Sequence, residues 1–176
     1  IPVVAAPYGM TLGGGCETCL AADRIVAHAE LFMGLVEIGA GLLPGGLGML
    51  NLWRKFLAGI PKSANITDLA GIFLPCFMNV AQAKVSMSAA QAKTLGFLGQ
   101  ADRIVMNRDL LIGEAKKEAL KMYDDGYAPP IRSKIKVIGR EAQGMVEAEM
   151  LNMKSGGYIT PHMEFIAKKI AGVLSG

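Results

Sequence analysis

Gly13-Gly14-Gly15-Cys16-Glu17 and Glu37-Ile38-Gly39-Ala40-Gly41-Leu42-Leu43-Pro44-Gly45-Gly46 hold the two most informative acids of the chain, twenty residues apart. Bare backbone beside a lone carboxylate lets a ligand come close to main-chain N–H groups. Two such acids in apolar surroundings suggest paired acid–base chemistry. Glu17 sits at the start of an expected helix, and Gly14 or Gly15 can offer an N–H to an anion there. Glu37 is flanked by Leu35, Val36 and Ile38. The bland alternative for it is a strand-end acid that caps the next loop. Glu30, Glu114, Glu118 and Glu147 read as solvated surface charges. The run from Gly39 to Pro44 nearly matches G-x-G-x-x-G, but it ends in proline. No acid follows at the right distance in a strand, so a dinucleotide site is not expected here.

The 176 residues suffice for one domain with a real core. An apolar content of 52% against 19% charged residues excludes a disordered chain. The longest uncharged stretches, Ile1 to Cys16 and Ile38 to Trp53, are 16 residues each and carry Pro and Gly. Both fall short of the ~20 apolar residues of a membrane span. A net charge of +3 is too small to point to nucleic acid. The chain starts at Ile1 without Met or a signal peptide, so we expect an excised piece of a longer protein. Three cysteines give no disulfide framework and fit a reducing, cytoplasmic compartment. Cys16 and Cys19 form a C-x-x-C pair, read either as a redox motif or as two small apolar residues on a buried helix face. No further Cys or His cluster completes a zinc site, and His28 and His162 are far apart in sequence, so no metal is expected.

Along the chain, Ile1 to Ala6 reads as a buried strand and Cys16 to Ala22 as a short helix. Arg24 to Ala27 and Leu31 to Gly34 read as strands, and Gly39 to Gly46 as a loop. A helix is expected from Gly46 to Gly59, with Leu50, Trp53 and Leu57 as its core face. Thr67 or Asp68 is the expected cap of a helix that Pro75 should stop or kink. Ser88 should cap Ala89 to Leu95, with Gly96 just past its end. Ala101 to Met106 reads as a strand and Asp109 to Asp124 as an amphipathic helix. Ile131 to Met153 reads as one long helix, and Thr160 with Pro161 opens a last one, Met163 to Leu174. No internal repeat of fixed period is visible.

At these residues the chain resembles the crotonase superfamily, whose best-known members are enoyl-CoA hydratases. The resemblance runs from Ile1 to about Met106. It is carried by Pro2 to Ala6 with Gly9, by Leu12 to Glu17 with Ala21 to Asp23, by Phe32 to Gly48, and by Ser88 to Lys93 with Gly96-Phe97. The wording from Phe32 to Phe56 and the insertion from Ala58 to Lys84 look most like the crotonase part of bacterial fused enoyl-CoA hydratase/3-hydroxyacyl-CoA dehydrogenases.

The resemblance implies an α/β fold, the crotonase-like spiral of ββα units. The C-terminal portion of that core would lie in residues 1–106, and a helical tail in 107–176. It implies Glu17 and Glu37 as the catalytic acids, with Gly14 as one thioester oxyanion donor and Gly45 as a donor that helps hold the attacking water. The implied reaction adds water to a trans-2-enoyl-CoA, as in fatty-acid β-oxidation, through an acyl-CoA substrate and without a cofactor in this chain. NAD would belong to a dehydrogenase part of the parent. The second oxyanion donor and most of the acyl-CoA surface would lie upstream of Ile1, so the isolated chain is expected to be a weak catalyst and to form a homo-oligomer. Isomerase or thioester hydrolase chemistry on the same fold, and a non-catalytic assembly module, are the alternatives.

Overall fold

The computed structural model describes residues 1–61, 63–131 and 134–176. Strands β1 (Val4–Ala5), β3 (Arg24–His28) and β5 (Arg103–Val105) form one parallel sheet in that order. Strands β2 (Gly9–Leu12) and β4 (Leu31–Gly34) form a second parallel pair, with Gly9 opposite Leu31 and Leu12 opposite Gly34. Helix α1 (Gly14–Leu20) follows β2, and helix α2 (Gly48–Ala58) follows β4 after a loop. Two ββα turns are thus laid on one another, and β5 begins a third. This is the spiral expected from the resemblance. The strand expected over residues 1–6 is only two residues long. The Asp23 carboxylate takes the N–H of Val3 at 2.8 Å, and Pro7 ends the run.

Helix α3 (Ile66–Ala81) departs from expectation at both ends. Its cap is Asn65, whose side chain accepts from the N–H of Asp68 at 3.0 Å, while the Asp68 carboxylate takes the N–H of Asn65 at 2.8 Å. Asp68 therefore serves as the reciprocal partner of the capping box rather than as the cap. Pro75 does not stop the helix. It sits on the exposed face directly above exposed Gly71, so the carbonyl that loses its partner faces water.

Helix α4 (Ala89–Thr94) is capped by Ser88 as expected. Helix α5 (Leu111–Asp124) lies against β1 and β3, where Leu111 and Ala115 meet Val26 and Val105. Glu118 is buried there and ion-paired to Arg103 at 3.5 Å, contrary to its reading as a solvated charge. The long helix expected over 131–153 is confined to α6 (Glu141–Ser155). At Gly139 the backbone is left-handed (φ 79°), and its N–H goes to the carbonyl of Ser175 rather than into a helix. Residues 132 and 133 lie outside the described residues. Helix α7 (Pro161–Ser175) is capped by Thr160 and packs with α6 against α3. The main core gathers Trp53, Phe73, Phe77 and Phe97 with Ile25, Leu31 and Leu52. In α2 it is Met49, Leu52 and Trp53 that are buried, while Leu50 and Leu57 are half-buried along a groove.

Candidate active site

Gly13 starts the site. Its N–H donates to the carbonyl of Gly34 at 2.9 Å, tying the end of β2 to β4, and its carbonyl accepts the N–H of Glu17 at 2.9 Å as the first helical bond of α1. This anchors the turn that carries Glu17. The Glu17 side chain is 8% exposed and reaches the start of α2. Its Oε1 accepts the N–H of Gly46 at 2.8 Å and of Gly48 at 2.9 Å.

Leu47, between these donors, is in the left-handed region (φ 71°) and forms the N-cap of α2 with no side-chain cap of its own. Glu17 therefore supplies from α1 the acceptor that α2 lacks, at the end where the helix dipole favours a negative charge. The approach is close. A Cβ at Gly46 would lie 2.6 Å from Glu17 Oε2, and one at Gly48 would lie 2.7 Å from Glu17 Cγ. A side chain at either position would push Glu17 out of this geometry.

Glu37 opens a 3-10 turn, Glu37–Ala40, whose last two residues fall in the stretch expected to be a loop. Its Oε1 lies 3.4 Å from where a Cβ of Gly13 would be, so Glu37 leans over the turn that leads into α1. Its Oε2 is buried without a hydrogen-bond partner among the described residues. Burial pushes the Glu37 carboxyl above the usual carboxylate range. The negative charge of Glu17 adds to this, and backbone amides at Glu37 and Val36 offset part of it. The two acids are thus within electrostatic reach of one another in unlike settings. Glu17 is held by two N–H donors, whereas Glu37 carries an unpartnered oxygen.

Gly14 and Gly15 are exposed at the open first turn of α1, with no described atom within 4 Å of a Cβ at either position. Gly45 is equally open; the donors to Glu17 lie one and three residues beyond it. A groove of about 1110 Å³ runs along α2 from Leu47, past Leu50 and Leu57, to Leu69 and Ile131. Its lining is mainly apolar, with Arg54 and Lys134 among it.

Cys16 and Cys19 are free, buried thiols on the inner face of α1. Burial pushes both above the ordinary thiol range, and the charges of Glu37 and Glu17 add to the rise at Cys16. Both pack in the main core, in keeping with the reading of two small apolar residues on a buried helix face. Among the described residues no group of three or more His, Cys, Asp or Glu is placed to hold a metal. No described helix is long and apolar enough to cross a membrane.

One residue that gave no signal in the sequence reaches the site. His162, on the first turn of α7, places Nε2 3.1 Å from the carbonyl oxygen of Gly41, the residue that caps the Glu37 turn.

Comparison with solved structures fixes the fold. The enoyl-CoA hydratase of Bacillus anthracis superposes with a TM-score of 0.53 over 98% of this chain and 53% of its own, at 23% identity. The chain has the crotonase fold. A "Probable 3-hydroxyacyl-CoA dehydrogenase" of Bacillus subtilis (strain 168) is 43% identical over 175 residues, which is 99% of this chain and 21% of that protein. "Enoyl-CoA hydratase domain-containing protein 2, mitochondrial" of Bos taurus is 35% identical over 100 residues, 57% of this chain and 28% of that protein. No protein-family model matches. The crotonase-fold chain thus spans about a fifth of the dehydrogenase relative and about half of the hydratase structure.

Proposed function

We propose that this chain supplies both catalytic acids of an enoyl-CoA hydratase module, which adds water to a trans-2-enoyl-CoA and yields a 3-hydroxyacyl-CoA in fatty-acid β-oxidation. The observation that carries the reading is the contrast between Glu17 and Glu37. Two N–H donors at the start of α2 hold the Glu17 side chain in place, suited to take a proton from water. Burial and the Glu17 charge favour Glu37 as the acid, suited to deliver a proton to the α-carbon. As the water oxygen bonds to the β-carbon, the electrons of the double bond move onto the thioester as an enolate. Protonation at the α-carbon collapses it. The exposed N–H of Gly14 is assigned to the enolate oxygen, and Gly45 to the hold on the attacking water.

The chemistry needs no metal or redox cofactor. Coenzyme A enters as the thioester of the substrate, and the mainly apolar groove beginning at Leu47 suits an acyl group. The dehydrogenase name of the Bacillus subtilis relative, beside the hydratase fold, supports a longer protein in which NAD serves a separate part. Three free, buried cysteines fit the cytoplasm. Exposed Met10 and Phe32, opposite one another on β2 and β4, fit a homo-oligomer; light scattering giving a strict monomer would overturn that part.

The test uses the protein expressed from its complete coding sequence, with crotonyl-CoA as substrate. Glu17→Gln and Glu37→Gln should each lower kcat by ~10²–10⁴-fold. Wild-type rates in both variants would refute the mechanism. Isomerisation of a 3-enoyl-CoA or cleavage of the thioester, in place of hydration, would move the site to one of those reactions.

A further inference from the structure

We infer that His162 is a positioning residue for Glu37, and that helix α7 acts through it as a brace on the catalytic turn. This deepens the proposed function, because it concerns how the second acid of that site is held. Glu37 opens the 3-10 turn, and the turn closes on Gly41, whose backbone is left-handed at φ 75°. Inside the turn, the N–H of Gly41 donates to Ile38 O and that of Leu42 to Glu37 O, both at 3.0 Å. These bonds set its shape. Ile38, 3% exposed in the main core, seats the turn, while the Glu37 Oε2 makes no bond among the described residues that would fix the acid itself.

His162 adds a directional tie from outside the turn. A carbonyl oxygen only accepts, so the Nε2 that lies 3.1 Å from Gly41 O carries the hydrogen. The imidazole is itself oriented. It stacks on Phe165, with ring centroids 6.4 Å apart and planes 25° apart, one turn along α7. The next residue, Ile166, begins the buried face of α7, with Ala167 and Ile170, so the helix that carries the donor is fixed in the core. Gly41 is fitted to this contact as well as to its turn, because a Cβ there would meet His162 Nε2 at 3.2 Å. A donor anchored through a stacked ring to a buried helix, meeting a left-handed cap four residues from the acid, is a hold on the acid's location.

The experiment compares His162→Ala, His162→Gln and the unaltered protein, each from the complete coding sequence. Two readouts are taken: hydrogen–deuterium exchange of the amides of residues 37–42, and kcat and KM for crotonyl-CoA. His162→Ala should speed exchange in that segment roughly 3- to 10-fold, as expected for one partly exposed hydrogen bond. It should lower kcat by a similar factor with KM unchanged, because the substrate contact is elsewhere. His162→Gln, which keeps an N–H donor of similar reach, should restore both. Unchanged exchange in His162→Ala overturns the brace. Faster exchange with unchanged kcat overturns the positioning role, as does a change confined to KM. If the unaltered protein hydrates no enoyl-CoA, the proposed function falls, and the exchange readout still decides whether His162 holds the turn.

Discussion

Glu17 and Glu37 should respond to neutralisation in opposite directions, and this follows from their partners. The native state holds the Glu37 proton more tightly than the unfolded chain does, because burial raises its carboxyl above the ordinary value of 4.5. The stability linked to that proton is fully present below about pH 4.5 and is lost as pH rises through the raised native value. Glu37→Gln should therefore melt higher than the unaltered protein at pH 7–8, with the difference shrinking toward pH 4. A pH-independent difference would show that the carboxyl is not raised. Glu17→Ala should lose about 1–3 kcal/mol, since the N–H groups of Gly46 and Gly48 lose their acceptor. Urea unfolding of Glu17→Ala with no loss would show that water replaces the carboxylate at no cost. The glycines beside them single out both acids in the sequence. They do not identify the partners. The donors to Glu17 are Gly46 and Gly48, brought to one oxygen across the left-handed Leu47, an arrangement that no local sequence signal marks.

Local propensity reads an element well where nothing distant competes with it. β4, the Ser88 cap and the Thr160 start of α7 follow their local signals. α6 and α3 do not. The helical pattern from Ile131 runs on past Gly139, but there the chain bonds to the end of α7 instead. In α3 the expected break fails for a reason of exposure. An interior proline costs about 3 kcal/mol, through its lost N–H bond and the clash of its ring with the preceding turn. Pro75 keeps that cost tolerable by facing water, and the buried neighbours Phe73, Cys76 and Phe77 hold the helix together across it. Pro75→Ala should then stabilise the protein. It restores the bond to Gly71 and removes the clash, while extra freedom of the unfolded chain takes back about 0.4–1 kcal/mol. The expected net gain is about 2 kcal/mol by urea unfolding. A loss of stability would mean that the Pro75 ring makes a packing contact that its exposure does not suggest.

Across the whole molecule, the turns of the spiral stack at an uneven offset, and its repeat is hidden for that reason. Val4 pairs with Arg24 but Gly9 pairs with Leu31, so the offset between turns is 20 residues at one strand and 22 at the next. A stacking without constant period leaves no periodic trace in the sequence. One buried carboxylate shows how such turns are joined. Asp102, just before β5, accepts the N–H of Ile25 in β3 at 2.8 Å through Oδ1. Its Oδ2 accepts the N–H of Gly99 at 2.6 Å and the ammonium of Lys55 at the end of α2 at 2.6 Å. The second turn of the spiral is thereby fastened to the third at one side chain that is 4% exposed. Removing one partner of a buried pair leaves the other charge uncompensated, which typically costs 3–5 kcal/mol. Asp102→Ala should lose about that much, because it strands Lys55 and two backbone donors together. Lys55→Met should lose less, since Asp102 keeps both N–H donors and the aliphatic stem is replaced. Urea unfolding of the two variants decides the point. Equal, small losses in both would mean that hydrophobic stacking alone holds the turns, and that the Asp102 clamp adds nothing to it.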